Sequence, residues 1–313
     1  MWTAGHFATR HHAPWTALLI CAAGLSALSL AGYWFARFGV RSLATSRSSA
    51  TNLVATRSAF ESPPNIWLVA HIDSKSQTIP MILRIASAVS FTISSACVLL
   101  GILLIGIFGW NDSLSMITMT ASYIAVVTAF PIILCFIGNR SCGAMDNATG
   151  VVSIILAVEK VGRDQSIGVL ITSAEELGLA GARHFVSTQT GSGIAINCDT
   201  IDDAGKFLCM ASGRKIQRLD AAIERASSRL QVETVGIFGK SRRASLRLRG
   251  MIPGILADNV AFTDGGWESF TLSRGNIATL SCVHTSRDLP DRIQGTGIAK
   301  AASLIAAIVE ELS

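Results

Sequence analysis

Two histidines and five carboxylates of this chain fall where an α/β sheet would deliver chemistry. His71 and Asp73 follow an apolar run at 66–70, Asp146 precedes a helical stretch, and Glu175 and Glu176 follow a run at 167–173. Asp199 follows the run 193–198, and His284 follows 277–283. Four expected strand ends therefore carry a metal-capable side chain to the carboxyl edge of a sheet, where open α/β folds bind their ligands. Imidazole and carboxylate in this proportion suit zinc, with cobalt or manganese able to substitute. More than four candidate ligands imply more than one ion, and ions about 3.5–4 Å apart need a bridging carboxylate. Asp146, fixed at a helix start, suits that place. The Glu175-Glu176 doublet allows one carboxylate to bind metal while its neighbour takes a proton from metal-bound water.

The elements that must position these residues read as β-branched strands alternating with helices. Strands are expected at 52–56, 66–70, 167–173, 193–198, 206–211 and 277–283, and helices at 147–161, 214–230 and 293–312. Such alternation predicts an α/β layer with a mainly parallel sheet.

A different pattern interrupts it. Half of the 313 residues are apolar and only 15% are charged, well under the usual quarter or so. The runs 15–36, 85–110 and 113–139 contain no Asp, Glu, Lys, Arg or His, and each exceeds the roughly 20 apolar residues that cross a bilayer. The second and third are parted by little more than Asn111 and Asp112, which predicts a tight helical hairpin with both outer ends on one side. Trp15, Tyr33, Trp34 and Trp110 stand at run ends as interfacial anchors would, and Pro131 is expected to kink the third span. The first run reads as a retained anchor, since it is longer than a leader core and lacks a good cleavage site. Residues 1–140 hold eight basic side chains against three acidic ones, which accounts for the whole net charge of +5. Most of that excess (Arg37, Arg41, Arg47, Arg57, Lys75, Arg84) lies between the first and second spans, and Arg140 follows the third. The positive-inside rule then puts the catalytic part in the cytoplasm and the N-terminus outside. Basic residues flanking apolar runs indicate a lipid bilayer as partner and no nucleic acid. Seven cysteines are too few for a disulfide scaffold.

The motifs His71-Ile72-Asp73-Ser74, Gly143-Ala144-Met145-Asp146-Asn147-Ala148-Thr149-Gly150, Ser173-Ala174-Glu175-Glu176-Leu177-Gly178, Asn197-Cys198-Asp199 and Val283-His284-Thr285 together resemble the zinc aminopeptidases of metallopeptidase clan MH, family twenty-eight. Relatives of that family include glutamate carboxypeptidase and glutaminyl cyclase. The resemblance covers residues 51–74 and 141–313 in the family's order. It implies a three-layer α/β/α zinc-exopeptidase sandwich and two Zn2+ ions, one held by His71 and Asp199, the other by Glu176 and His284, with Asp146 bridging. Glu175 would be the general base and Asp73 would orient His71. The implied reaction is attack of a zinc-bound hydroxide on the first peptide bond of a peptide with a free N-terminus.

Departures from the family pattern are equally specific. The membrane hairpin fills the interval between His71 and Asp146, which marks a membrane-embedded branch. The family's edge strand before the first metal motif is expected to be reduced or absent. The family's Ser-Asp-x-x-x-Phe stretch is sought at 263–270, where its spacing is off. An oxyanion-steadying Tyr, known in some members, has no counterpart, because Tyr33 and Tyr123 lie in apolar spans. His6, His11 and His12 read as a polar tail, His184 as a surface residue, and Arg242, Arg243, Arg247 and Arg249 as a solvated loop. Cys198 should point away from Asp199 by strand alternation.

The chain is thus expected to comprise a tail, anchor and linker (1–50), a first piece of the catalytic domain (51–74), a connector with the hairpin (75–140) and the main peptidase domain (141–313). Its expected function is that of a membrane-anchored, multi-pass metallo-aminopeptidase. The alternatives are a glutaminyl-cyclase-like acyl transferase with one zinc, or an inactive scaffold, which would normally have lost ligands. A transporter is disfavoured, since the spans hold no ionisable residue.

Overall fold

The computed structural model describes residues 6, 13–38, 49–57, 64–211, 217–237 and 257–313. Seven strands build one sheet: β1 (Leu53–Arg57), β2 (Ile66–His71), β5 (Ile167–Thr172), β6 (Ile194–Ile201), β7 (Lys206–Ala211), β8 (Thr234–Ile237) and β9 (Glu268–Gly275), in the order β1-β5-β2-β6-β9-β7-β8. The central pairs β5/β2, β2/β6 and β6/β9 are parallel, β1 and β7 join antiparallel, and β8 returns to parallel on β7. β2 is buried along its whole length, as an interior strand of a two-faced sheet must be.

Alternation along the strands creates two cores. Ile66, Leu68 and Ala70 point to a face covered by α4 (Thr149–Lys160), α6 (Gln217–Leu230) and α9 (Thr296–Leu312). Trp67 and Val69 point to the other, where α5 (Ala180–Thr188) and α7 (Asn259–Asp264) contribute Phe185 and Phe262. The result is a mixed α/β fold with helices on both sides of the sheet. An edge strand is present: β1 is locked in place by Arg57, whose guanidinium donates to the carbonyls of Val158, Val161, Gly162 and Gln165 at the end of α4. A cation belongs there, at the negative end of a helix.

The insertion after β2 opens with β3 (Ser76–Gln77), rises through α2 (Met81–Phe108), returns through α3 (Asp112–Ile133) and closes with β4 (Ile137–Gly138), which pairs antiparallel with β3. Asn111 caps α3 by accepting from the Leu114 amide at 3.0 Å. At Gly101 an added Cβ would lie 2.1 Å from Thr118 Oγ1, so only glycine allows α2 and α3 to approach this closely. α1 (Pro14–Phe38) lies alongside, its Ala17 and Cys21 packed with Val98, Ile102 and Ala121. All three helices are long and apolar enough to cross a membrane. The third apolar run extends past its helix: Pro131 sits in the last turn of α3, and the remainder forms β4.

One strand assignment is corrected. Residues 277–282 are α8 (Ile277–Cys282), not a strand, because Asn276 accepts from the amides of Ala278 and Thr279 while Thr279 Oγ1 accepts from the Asn276 amide. That capping box outweighs the β-branched composition. The strand lies just before it, as β9. The tail histidines His11 and His12, the charges Arg10, Arg41 and Arg47, and the cluster from Arg242 to Arg249 lie outside the described residues.

Candidate metal centre

β2 is an interior strand of the sheet with β5 and β6 on either side, and its last residue is His71. The imidazole is buried, and its Nδ1 is 2.9 Å from the main-chain oxygen of Asp73. A carbonyl only accepts, so Nδ1 carries a proton and Nε2 is the nitrogen open to a cation. Nε2 faces Asp146 Oδ1 at 3.1 Å and Asp199 Oδ1 at 3.6 Å. The Asp73 carboxylate is farther from the ring, 3.8 Å from Nδ1. It instead accepts from the amides of Glu175 (3.0 Å) and Glu176 (3.1 Å), and so fixes the turn that carries the glutamate doublet.

Asp146 is held from behind. Asp288, fully buried, accepts from the Met145 amide at 2.6 Å and the Asp146 amide at 3.3 Å. Asn147, joined to Asp146 by a cis peptide, accepts from the amides of Gly150 and Thr200 and donates to Cys198 O at 2.9 Å. These bonds pin the start of α4 against the end of β6, which brings Asp199 to the site. Gly150 permits the contact, since a Cβ there would meet Cys198 O at 2.4 Å.

The second oxygen of Asp146 serves the other histidine. His284 Nε2 is 2.8 Å from Asp146 Oδ2 and 2.9 Å from Glu176 Oε1. His284 follows α8 rather than a strand, with φ in the left-handed region at 61°. Its Nδ1 lies 3.1 Å from Gln77 Oε1 on the hairpin stem. Glu176 Oε2 pairs with Lys75 Nζ, also from the stem.

Charge and burial are tightly balanced here. Burial opposes ionisation of Asp146, yet the imidazoles of His284 and His71 hold it well below the ordinary carboxylate range. His284 is itself lifted to about 9: burial works against its charge, but Asp146 and Glu176 outweigh it. Glu175, only 6% exposed, is pushed well above its ordinary value by burial, opposed by His71 and reinforced by Asp258, Glu176 and Asp199.

Two donor sets result, His71 with Asp146 and Asp199, and Asp146 with Glu176 and His284; within each the ligand atoms lie within 4.8 Å of one another. Glu176 Oε1 is buried and, although 2.9 Å from His284 Nε2, makes no well-aligned hydrogen bond, which leaves it able to take a cation. Nitrogen and carboxylate oxygen donors fit zinc, and three protein ligands per ion leave a coordination position open, which is the catalytic rather than the structural pattern.

Four residues at the site escaped the sequence reading. Gln77, Lys75 and Asp288 carry no local signal. Asp258 does: it is fully buried, hydrogen-bonds Thr172 Oγ1, and stands four residues before Phe262 in the second core. The Asp-x-x-x-Phe spacing sought at 263–270 therefore occurs at 258–262. Burial, with Asp199 and Asp73 nearby, lifts Asp258 to about 6 against the opposing effects of Thr172 and His71. Tyr33 and Tyr123 lie in α1 and α3, and His184 is exposed.

The fold is shared with solved aminopeptidases. The zinc aminopeptidase BSAP from Bacillus subtilis superposes with a TM-score of 0.52 at 17% identity, over 83% of this chain and 49% of that one. The aminopeptidase of Aneurinibacillus sp. strain AM-1 gives 0.52 and 17%, over 83% and 47%. Legionella pneumophila LapA aminopeptidase gives 0.52 and 14%, over 94% and 63%. The chain thus spans roughly half to three-fifths of the length of these proteins. No curated protein matches it by sequence. The sequence profile of peptidase family M28 matches residues 52–309, running through every element of the sheet and both histidines of the site, and the chain belongs to that family.

Proposed function

We propose that the protein is a membrane-anchored zinc aminopeptidase that removes N-terminal residues from peptides. The observation that carries this reading is the division of Asp146, whose two carboxylate oxygens each face a different histidine. His71 and Asp199 would hold one ion and Glu176 and His284 the other, with Asp146 between them. Bound zinc supplies Lewis acidity and makes water acidic enough to react near neutral pH.

The remaining work falls to protein groups. Glu175 is the general base: its carboxylate, whose affinity for a proton is raised by burial, can take the proton of the attacking water and return it to the leaving amine. Asp73 holds Glu175 and Glu176 in register through their amides. Asp288 and Asn147 keep the Asp146 turn rigid. Helices α1, α2 and α3, at 25, 28 and 22 residues, are each longer than the roughly 30 Å hydrocarbon core at 1.5 Å per residue, and they anchor the enzyme in the bilayer.

The test is metal counting on the purified full chain together with hydrolysis of an aminoacyl anilide. Two zinc ions and turnover are expected, and Glu175→Ala should keep both ions while losing about 10²–10⁴-fold in kcat. Undiminished turnover in that variant would refute the assignment. One zinc per chain with cyclisation of N-terminal glutamine would favour the acyl-transferase alternative.

A further inference from the structure

The hairpin is not remote from the metal site; it grows out of it. Gln77 in β3 touches His284 Nδ1 through Oε1, and the same oxygen accepts from Arg84, in the first turn of α2. The Gln77 amide also donates to His284 O at 2.8 Å. One side chain thus links a candidate zinc ligand to the foot of an apolar helix. On the ladder Gln77 stands opposite Ile137.

Depth along the hairpin follows from length. With the tip at Gly109 to Asn111 at one interface, about 20 residues of α3 cross the hydrocarbon core and bring the chain to Ile133 at the other. Phe136 and Ile137 come next, 63% and 66% exposed, in the headgroup layer that lies beyond each face of the core. Four extended residues reach at most about 14 Å, and antiparallel partners lie about 5 Å apart. Gln77 is therefore within roughly 20 Å of the hydrocarbon boundary, and His284, bonded to it, within roughly 25 Å. The residues directly following His71 and Glu176, Ile72 and Leu177, are also exposed and apolar, at 58% and 48%.

We infer that the metal site faces the membrane surface, and that its substrates are peptides whose free amino termini are held close to the bilayer by an acylated or membrane-inserted remainder. This rests on the aminopeptidase reading and narrows its substrate class. Both stem strands leave the carboxyl edge of the sheet beside the ligands, so the bilayer that receives α2 and α3 covers Phe136 and Ile137 and borders the site. A site on the opposite side of the domain would lie about 40 Å away, given the size of a folded unit this long. An extended peptide of eight residues reaches at most about 29 Å. Short-tethered amino termini are thus within range only if the site faces the lipid.

The experiment uses the zinc-loaded full chain in nanodiscs. Two peptides share an N-terminal sequence of eight residues, and one ends in a palmitoylated lysine. The tethered peptide should be trimmed with a kcat/KM at least about tenfold higher, because its acyl chain concentrates it at the surface. Equal efficiency, or sparing of the tethered peptide while the free one is cut, overturns the inference and leaves the aminopeptidase reading standing. Cleavage of neither peptide removes the aminopeptidase reading, and with it the substrate class. Orientation is read independently from a fluorophore on Ile137→Cys, with Cys97, Cys135 and Cys142 replaced by Ser, against lipids brominated near the carbonyl. Quenching there and none at Ser192→Cys, exposed just before β6 at the opposite edge of the sheet, is expected, and no quenching at position 137 overturns the inference whatever the peptides do.

Discussion

Gln77 Oε1 stands 3.1 Å from His284 Nδ1, so a residue of the hairpin stem fixes both the ring orientation and the tautomer of a candidate zinc ligand. An amide oxygen only accepts, which keeps a proton on Nδ1 and leaves Nε2, facing Asp146 and Glu176, as the nitrogen that can give up its proton to a cation. Partners of this kind are typically worth 10–100-fold in metal affinity. Gln77→Leu should weaken zinc binding by about that factor, measured by competition with a chromophoric chelator on the metal-free full chain. Gln77→Glu keeps the acceptor and should restore most of the loss. Equal affinities for wild type and Gln77→Leu would remove Gln77 from this role.

Asp73 is expected to act on the glutamates more than on His71. Its two oxygens accept from the amides of Glu175 and Glu176, while the ring of His71 bonds to its main-chain oxygen. Asp73→Ala should therefore disturb base and ligand together, lowering kcat about 10–100-fold. The main-chain bond to His71 survives the substitution, so zinc at the His71 set should be weakened less than by His71→Ala. Site-resolved metal titration against kcat distinguishes the two effects.

Asp288 supports the bridging carboxylate from inside the protein. It is fully buried and satisfies two main-chain donors, Met145 N and Asp146 N. Removing a buried acceptor leaves its donors unpaired, at about 1–3 kcal/mol. Asp288→Ala should lower the unfolding free energy of the metal-free, detergent-solubilised protein by that order and also weaken zinc binding through the loosened Asp146 turn. A variant that melts with the wild type and binds zinc equally well would argue against this support.

The metal candidates are legible because each lies in a short motif, at the end of an apolar run or, for Asp146, at a helix start. His71 closes β2, Asp199 lies near the end of β6, and Glu175 and Glu176 sit on the turn after β5. The motif marks His284 although the element before it is a helix and not the expected strand, since the capping box of Asn276 and Thr279 is a side-chain interaction that composition hides. Gln77, Lys75 and Asp288 were not legible. Their roles arise from the pairing of β3 with β4 and from contacts between residues more than a hundred positions apart, such as Asp288 with Met145. Charge counting for membrane orientation met the same limit: Arg57 caps α4, and Lys75 and Arg84 bond to Glu176 and Gln77. Those three charges serve the fold and the site as well as any topology signal.

Asp258 gives the pH prediction. Burial lifts its pKa from 3.8 to about 6, so folding favours the protonated form. A raised carboxyl contributes stability that is fully present below the unfolded value of 3.8 and is lost as pH rises through 6. At pH 8 the ionised Asp258 is a buried charge with one oxygen, Oδ1, lacking a hydrogen bond. Asp258→Asn stays neutral throughout and has nearly the same shape. In metal-free protein the variant should be more stable than wild type at pH 8, by about 2–3 kcal/mol, and should lose that advantage below pH 4 or so. The measurement is the difference in unfolding free energy between the two proteins across that range. Saturating zinc should shrink the difference at pH 8, because cations beside His71 and Asp199 favour the ionised carboxylate. An advantage independent of pH would show that Asp258 acts through shape alone.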